Sequence, residues 1–83
     1  MKLLYFAWLK TKIGTAEEEL ELPAEVTDVA ALLDWLKSRG PGYGEALSDL
    51  SAIRVAVNQS YARPSDAIAP GDEVALFPPV TGG

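Results

Sequence analysis

The chain has 83 residues, of which 48% are hydrophobic, and a net charge of −5 at neutral pH, as is typical of one small globular domain. The acidic balance argues against a nucleic-acid partner, because nucleic-acid phosphates require a basic protein surface. The absence of cysteine and histidine removes the thiol nucleophile, the usual zinc ligands and the commonest general base at neutral pH. We therefore expect no metal site and no independent enzymatic activity.

The longest apolar stretch of the sequence, residues 3–9, is far too short to span a bilayer. It also lacks the small-residue cleavage site that follows the apolar segment of a secretory signal. We interpret it as part of a core strand, and we expect a cytoplasmic protein without a membrane partner.

Two strands are predicted at the start of the chain. Residues 2–9 are rich in leucine and aromatic side chains, which indicates a central strand with both faces covered. Residues 10–15 are predicted to form a turn in which Gly14 takes a positive φ. Residues 19–22 alternate between glutamate and leucine, the pattern of a strand with one solvated face. We expect the two strands to form an antiparallel hairpin.

An acidic cluster accompanies the second predicted strand. It consists of Glu17, Glu18, Glu19 and Glu21. Charged side chains on an edge strand discourage pairing with other chains. We interpret the cluster as a solvated edge strand in preference to a recognition site.

The main helix is predicted from an apolar stripe at positions 0, 3, 4 and 7 of a helical repeat. The stripe is formed by Val29, Leu32, Leu33 and Leu36. Thr27 is the predicted N-cap, with Asp28 placed against the positive end of the helix dipole. Gly40 and Pro41 are expected to end the helix.

The second half of the chain contains further strand and turn patterns. Residues 42–50 are less regular, with a short helix predicted around residues 45–50. Residues 53–57 alternate as a strand, the Asn58–Gln59 pair is predicted to turn the chain, and a short strand follows through Tyr61. Pro70 and Gly71 form the turn that precedes the last strand.

This order of elements predicts an α+β fold of the ubiquitin-like β-grasp class, a small mixed sheet with one main helix packed on one face. A right-handed crossover would place the final strand parallel to the first, with the tail at the sheet edge. We divide the chain into a β-grasp domain, residues 1–77, and an extended C-terminal tail, residues 78–83.

The end of the sequence changes character at two prolines. Alternation with Val74 and Leu76 places Phe77 on the outer face of the last strand. Pro78 and Pro79 cannot donate to a sheet ladder and favour the polyproline II conformation, so pairing is expected to stop at Phe77. Gly82 and Gly83 carry no side chains and could enter a narrow channel. This pattern favours a tail presented to a partner over an idle chain end.

Residues 71–83, with the sequence GDEVALFPPVTGG, resemble the ending of the small-subunit family of molybdopterin synthase. The residues Phe6-Ala7, Gly14 and Val57-Asn58-Gln59 also occur where that family has similar residues. Members of the family often carry arginine near the position of Lys10, where lysine keeps the charge but loses the bidentate fork.

The resemblance implies a ubiquitin-like sulfur carrier whose reacting group is the α-carboxyl of Gly83. A ubiquitin-activating-enzyme-like adenylyltransferase would use ATP to form an acyl adenylate there, and a sulfur donor protein would convert it to a thiocarboxylate. The carrier itself would hold no tightly bound cofactor. Its sulfur would pass to cyclic pyranopterin monophosphate and form the dithiolene of molybdopterin.

The resemblance also implies a large synthase subunit as the partner, in a heterotetramer of two small and two large subunits. The residues expected to bind it are Phe77, Pro78, Pro79, Val80, Thr81 and Gly82, with Phe77 as the aromatic anchor. The alternative for Phe77 is a core aromatic at the end of the sheet. Two other functions stay open: a β-grasp sulfur carrier for thiamin or another sulfur-containing product, and a non-carrier interaction domain.

Overall fold

The fold is seen in a computed structural model that describes residues 1–79. Five strands form one mixed sheet, and three α-helices and a short 3₁₀ turn connect them. In chain order the elements are β1 (Lys2–Tyr5), α1 (Ala7–Ile13), β2 (Glu17–Glu19), α2 (Val29–Lys37), α3 (Pro41–Ala46), the 3₁₀ turn (Leu50–Ala52), β3 (Arg54–Val57), β4 (Ser60–Ala62) and β5 (Glu73–Phe77).

The strand order across the sheet is β2-β1-β5-β3-β4. The last strand, β5, lies parallel to β1, with Leu3 opposite Val74 and Tyr5 opposite Leu76. It runs antiparallel to β3 on its other side. The predicted parallel pairing of the first and last strands and the α+β β-grasp fold are confirmed. The tail, however, leaves the end of the central strand, so its predicted position at the sheet edge is wrong.

One face of the sheet and the main helix α2 enclose a single hydrophobic core. The predicted stripe of α2 is buried throughout, which confirms the helix and its core-facing side. The buried residues of the core are Leu3, Tyr5, Leu9, Val29, Leu32, Leu33, Leu36, Ala46, Leu47, Ile53, Val55, Ile68, Val74 and Leu76.

The first strand is shorter than predicted, because β1 ends at Tyr5 and α1 begins at Ala7. Ala7 has φ 55°, a left-handed conformation that turns the chain out of the strand. Leu9 is fully buried and holds α1 on the core. Gly14 ends the helix with φ 99°, and its N–H donates to the carbonyl of Lys10 at 2.8 Å. The predicted positive φ of Gly14 is confirmed, whereas the strand through residue 9 and the turn at residues 10–13 are wrong.

Strands β1 and β2 pair antiparallel as predicted, but a helix and not a short turn connects them. The second strand covers Glu17–Glu19 instead of residues 19–22. Lys2 lies opposite Glu19, and Leu4 opposite Glu17. The acidic strand is at the edge of the sheet, in agreement with its interpretation as an edge strand.

The ends of the helices differ from the predictions in detail. Asp28, and not Thr27, is the N-cap of α2, and its Oδ1 accepts from the N–H of Ala31 at 2.8 Å. The next helix runs from Pro41 to Ala46, so the helix predicted around residues 45–50 is displaced toward the start of the chain. A Cβ on Gly42 would lie 2.7 Å from the carbonyl oxygen of Lys12. Helices α1 and α3 therefore approach too closely at that point for any larger residue.

A polar cluster ties the edge strand β2 to the helices. The carboxylate of Glu18 accepts hydrogen bonds from the hydroxyls of Tyr5 and Tyr43, both at 2.7 Å, and from the guanidinium of Arg39 at 3.1 Å. The guanidinium of Arg39 also lies 5.5 Å from the Trp35 ring centroid and 4.9 Å from that of Tyr43, within cation–π range. The interpretation of the whole acidic cluster as solvated is wrong for Glu18, because the strand parity turns it toward the core side.

Burial and hydrogen bonding act on the pKa of Glu18 in opposite directions. Desolvation of the carboxylate raises its pKa, but the hydrogen bonds from Tyr43, Tyr5 and Arg39 outweigh that effect, and the pKa lies below its usual value. Burial, with the hydrogen bond to Glu18, raises the pKa of the Tyr5 hydroxyl, which stays protonated and donates to the carboxylate. The cluster therefore stabilises the fold when Glu18 is ionised.

We expect Glu18→Gln to lower the free energy of unfolding by about 1–3 kcal/mol near neutral pH, because the hydrogen bonds lose their charged acceptor. A carboxyl with a lowered folded-state pKa stabilises the fold above its unfolded pKa of about 4.3, and that stabilisation is lost as the pH falls through the folded-state value. Urea unfolding across this acid range should therefore show the wild type and Glu18→Gln converging. Glu17→Gln, at an exposed position of the same strand, is the matched control and should change little. A stability difference between Glu18→Gln and wild type that is independent of pH would contradict this account.

We expect Gln59→Gly to raise the free energy of unfolding. Asn58 and Gln59 have φ 51° and 70°, so the two-residue turn between β3 and β4 needs left-handed backbone at both positions, as in a type I′ hairpin. A left-handed L-residue costs about 1–2 kcal/mol and glycine about 0.5–1 kcal/mol in chain entropy, so the net gain is about 0.5–1 kcal/mol. Thermal and urea unfolding measure the change, and Gln59→Ala, which keeps a Cβ, should show no gain. Equal stability of the two variants would contradict the strain argument.

Candidate functional site

The candidate site is the place where the C-terminal tail leaves the sheet. Phe77 is the last residue of β5 and lies opposite Arg54 of β3. Pro78 and Pro79 follow outside the strand and are half-buried, so the predicted end of pairing at Phe77 is confirmed. Four predicted site residues lie outside the described part of the chain: Val80, Thr81, Gly82 and Gly83.

Phe77 lies on the outer face of the sheet, as its parity predicts. Its neighbour Leu76 is fully buried, whereas Phe77 is half-buried. The Phe77 ring packs against the ring of Tyr61 with centroids 5.9 Å apart and an interplanar angle of 49°. Tyr61 is 75% exposed, so the pair lies at the surface of the protein.

A third aromatic residue completes this surface. Phe6 follows β1 and is 48% exposed, and its N–H donates to the carbonyl of Leu76 at 3.1 Å. Because Tyr5 lies opposite Leu76, continuing the register places Phe6 alongside Phe77 on the outer face. We refer to Phe6, Tyr61 and Phe77 as the aromatic face.

The aromatic face continues into an apolar row across the sheet. One register row joins Leu4, Ala75, Ala56 and Tyr61 on strands β1, β5, β3 and β4. All four belong to the outer parity, opposite the buried core residues of the same strands. The small side chains of the two alanines leave the row flat. An apolar surface of this kind, beside the point where the chain leaves the sheet, is typical of a protein-binding site.

Of the three aromatic residues of this face, only Phe77 is predicted from the sequence as a site residue. Tyr61 could have been found by the same parity argument, since it lies opposite Ala56 in the β3–β4 hairpin. Phe6 was missed because residues 2–9 were interpreted as a strand covered on both faces. Lys10, near whose position the small-subunit family often carries arginine, is exposed on α1.

The described residues contain little else that resembles a reactive centre. Within residues 1–79, no three His, Cys, Asp or Glu side chains form a group able to hold a metal ion. None of the helices that the structure describes has the length and apolar character needed to cross a membrane.

Comparisons with known proteins agree with this architecture. The molybdopterin synthase sulfur carrier subunit of Escherichia coli (strain K12) is 36% identical over 83 residues, covering 100% of this chain and 99% of the relative. A Pyrococcus furiosus protein assigned as molybdopterin converting factor subunit 1 superposes with a TM-score of 0.79 at 32% identity, over 95% of each chain. A chain in the complex of subunits 1 and 2 of molybdopterin-converting factor from Helicobacter pylori 26695 shares the fold, with a TM-score of 0.65, 22% identity and coverage of 99% and 96%.

The match to a family model extends over almost the whole sequence. The model of the ThiS family covers residues 3–83, and therefore includes both the sheet and the tail. Together with the full-length relative at 36% identity, this match shows that the chain belongs to the ThiS family.

Proposed function

We propose that this chain is the sulfur carrier subunit of a molybdopterin synthase and takes part in molybdenum cofactor biosynthesis. The observation that carries the proposal is the position of the tail, which continues directly from the central strand and leaves the sheet beside the aromatic face. The name of the E. coli relative supports the same role. A rigid strand end followed by a glycine terminus can present one carboxyl group to several enzymes in turn.

The proposed reacting group is the α-carboxyl of Gly83. This group has an ordinary pKa of about 3.5, so at neutral pH it is an anion and a poor electrophile. Attack of a carboxylate oxygen on the α-phosphorus of ATP displaces pyrophosphate and forms an acyl adenylate, in which the carboxylate charge is gone and AMP is the leaving group. Hydrosulfide supplied by a sulfur donor protein then attacks the acyl carbon and displaces AMP, which leaves a thiocarboxylate. Two charged carriers each deliver one sulfur to cyclic pyranopterin monophosphate, and the two sulfurs form the dithiolene.

The catalytic groups for these steps come from the partners. The chain has no cysteine on which to carry sulfur and no histidine to move protons, so its contribution is binding and positioning. Gly82 gives an unobstructed approach to Gly83, while Pro78, Pro79, Val80 and Thr81 form the stem that sets its reach. The activating enzyme supplies adenylation, and the large synthase subunit supplies the site of transfer.

The aromatic face is the proposed docking site for the large subunit. Phe77 and Tyr61 already pack together, so binding would immobilise few additional rotamers, which favours affinity. The Helicobacter pylori structure contains subunit 1 with subunit 2 of the converting factor, and we propose the corresponding pairing here, in a heterotetramer of two small and two large subunits. The tail would then enter the large subunit beside this contact.

Deletion of Gly83 should abolish sulfur loading and leave the fold intact. The described core ends at Leu76, so the thermal midpoint should stay within error of wild type. Intact-mass spectrometry after incubation with the activating enzyme, ATP and a sulfide source should show oxygen replaced by sulfur in the full chain only. An unchanged mass of the full chain would contradict the carrier function.

A second stage of the same experiment separates the alternatives. Adding the large subunit and cyclic pyranopterin monophosphate should return the thiocarboxylate to a carboxylate and produce the dithiolene. A carrier for thiamin or another sulfur-containing product would be loaded but not discharged under these conditions. A non-carrier domain would not be loaded at all.

Phe77→Ala should weaken binding to the large subunit by about 2 kcal/mol, the effect expected of an aromatic anchor. Because the rings of Phe77 and Tyr61 are in contact, we expect the Phe77→Ala and Tyr61→Ala effects to be non-additive in a double-mutant cycle. Calorimetric titration measures both, and Leu50→Ala, at an exposed apolar residue away from the face, is the control. Normal binding by folded Phe77→Ala would show that Phe77 is only a structural aromatic at the sheet end.

A further inference from the structure

A cation lies beside the point where the tail leaves the sheet. Arg54 of β3 is directly opposite Phe77, the last residue of β5. Its neighbour Val55 is buried in the core, so Arg54 belongs to the outer parity of β3, the same side of the sheet as the aromatic face. Arg54 is exposed. It therefore adds a positive charge to the rim of the aromatic face on a chain whose net charge is −5.

The guanidinium of Arg54 is held in place without being neutralised. Its Nη1 donates to the carbonyls of Ser51 and Ile53, at 3.3 and 3.2 Å. These bonds leave free the Nε and Nη2 edge, on which a guanidinium can bind a carboxylate with two parallel hydrogen bonds. Within the part of the chain that the structure describes, Arg39 and Arg63 are paired with carboxylates, whereas Arg54 is not. Its unused edge suits a carboxylate from another molecule.

The other end of the outer face is predominantly acidic. Glu73 begins β5 and lies opposite Lys2, which lies opposite Glu19 on its other side. Lys2 is paired with Glu17 at 3.6 Å, and the amino terminus lies 3.9 Å from Glu19. Three carboxylates thus accompany two cations, about 13 Å along β5 from Phe77. The outer face is positive beside the tail and negative at its far end.

This polarity supplies a direction that the apolar part of the face lacks. Hydrophobic burial is non-directional, and the row that contains Ala75 and Ala56 is flat, so apolar contact alone allows a partner to bind in several rotations. Charges of opposite sign at the two ends favour one rotation and disfavour the reverse, which would bring like charges together. The rotation matters because it decides whether the tail points toward the site of sulfur transfer.

We propose that Arg54 pairs with a carboxylate of the large synthase subunit and thereby sets the orientation in which the aromatic face docks. This inference rests on the proposed sulfur-carrier function and adds to it a residue that specifies the complex. Arg54 is a positioning residue, because residues 78–83 separate its neighbour Phe77 from the reacting carboxyl of Gly83. The carbonyls of Ser51 and Ile53 hold the guanidinium before the partner arrives, which lowers the entropic cost of forming the pair.

The first test measures binding of full-length variants to the large subunit in about 0.1 M and about 1 M salt, where the Debye length is about 10 Å and about 3 Å. Arg54→Glu should weaken binding about tenfold or more in the lower salt, and the loss should shrink in the higher salt. Lys37→Glu, at the exposed end of α2, changes the net charge of the chain by the same amount and should bind like wild type. Thermal unfolding checks that each variant is folded.

The second test separates orientation from affinity. Each variant is first loaded completely with sulfur, and its discharge is then followed in a single turnover at a saturating concentration of the large subunit. Arg54→Met keeps an apolar side chain of similar length and removes the charge, so part of the bound carrier should sit in unproductive rotations and the discharge rate should fall about tenfold. Arg54→Lys keeps the charge and should restore most of this rate, although it loses the bidentate fork.

Three results would overturn the inference while wild type is still loaded and discharged. These are unchanged binding of Arg54→Glu in the lower salt, an equal loss in Lys37→Glu, and a loss in Arg54→Glu that is independent of salt, which would identify a purely structural role. An unchanged discharge rate of Arg54→Met at saturation would refute the orienting role. A wild-type chain that is neither loaded nor bound would instead refute the proposed function, and this inference with it.

Discussion

The structure depends above all on the parallel pairing of the first and last strands. Leu3 lies opposite Val74, and Tyr5 opposite Leu76, and all four side chains are buried in the core. The sheet therefore cannot be completed until the end of the domain has been synthesised, which makes this pairing the longest-range constraint in the chain. It also places the root of the tail at the centre of the sheet. A neighbouring strand on each side holds β5, so the tail begins from a rigid base and not from a fraying edge.

The alternation of side chains along β1 and β5 divides their residues between the buried core and the outer face of the sheet. Residues of one parity build the core, whereas Leu4, Phe6, Ala75 and Phe77 belong to the opposite parity and form the outer face with Tyr61. A substitution on the outer face can change partner choice without creating a cavity in the core. A one-residue slip between β1 and β5 would exchange the two sets. The core packing thus specifies the register that assembles the aromatic face.

Much of this fold could be predicted from local patterns. The stripe of α2, the Asn58–Gln59 turn and the parity of β5 depend on spacing within a few residues. The break at Ala7 could not be predicted, because an apolar run suits a buried strand and a buried helix equally, and a left-handed alanine has no sequence signal. Glu18 was misassigned for another reason. Its partners Arg39 and Tyr43 are 21 and 25 residues away along the chain, and only the folded structure brings them together.

Part of the candidate site could be predicted from the amino-acid composition and from the alternation of residues in the last strand. The absence of cysteine and histidine leaves the chain without a thiol to hold sulfur or an imidazole to transfer protons, and the alternation ending at Phe77 shows where the sheet stops. The flat surface around that point required the register, since Leu4, Ala56 and Tyr61 come from three separate segments. The contribution of the core to this site is to hold β5 between β1 and β3 at the centre of the sheet. Outer-face side chains can then change without disturbing the buried pairing of β1 and β5.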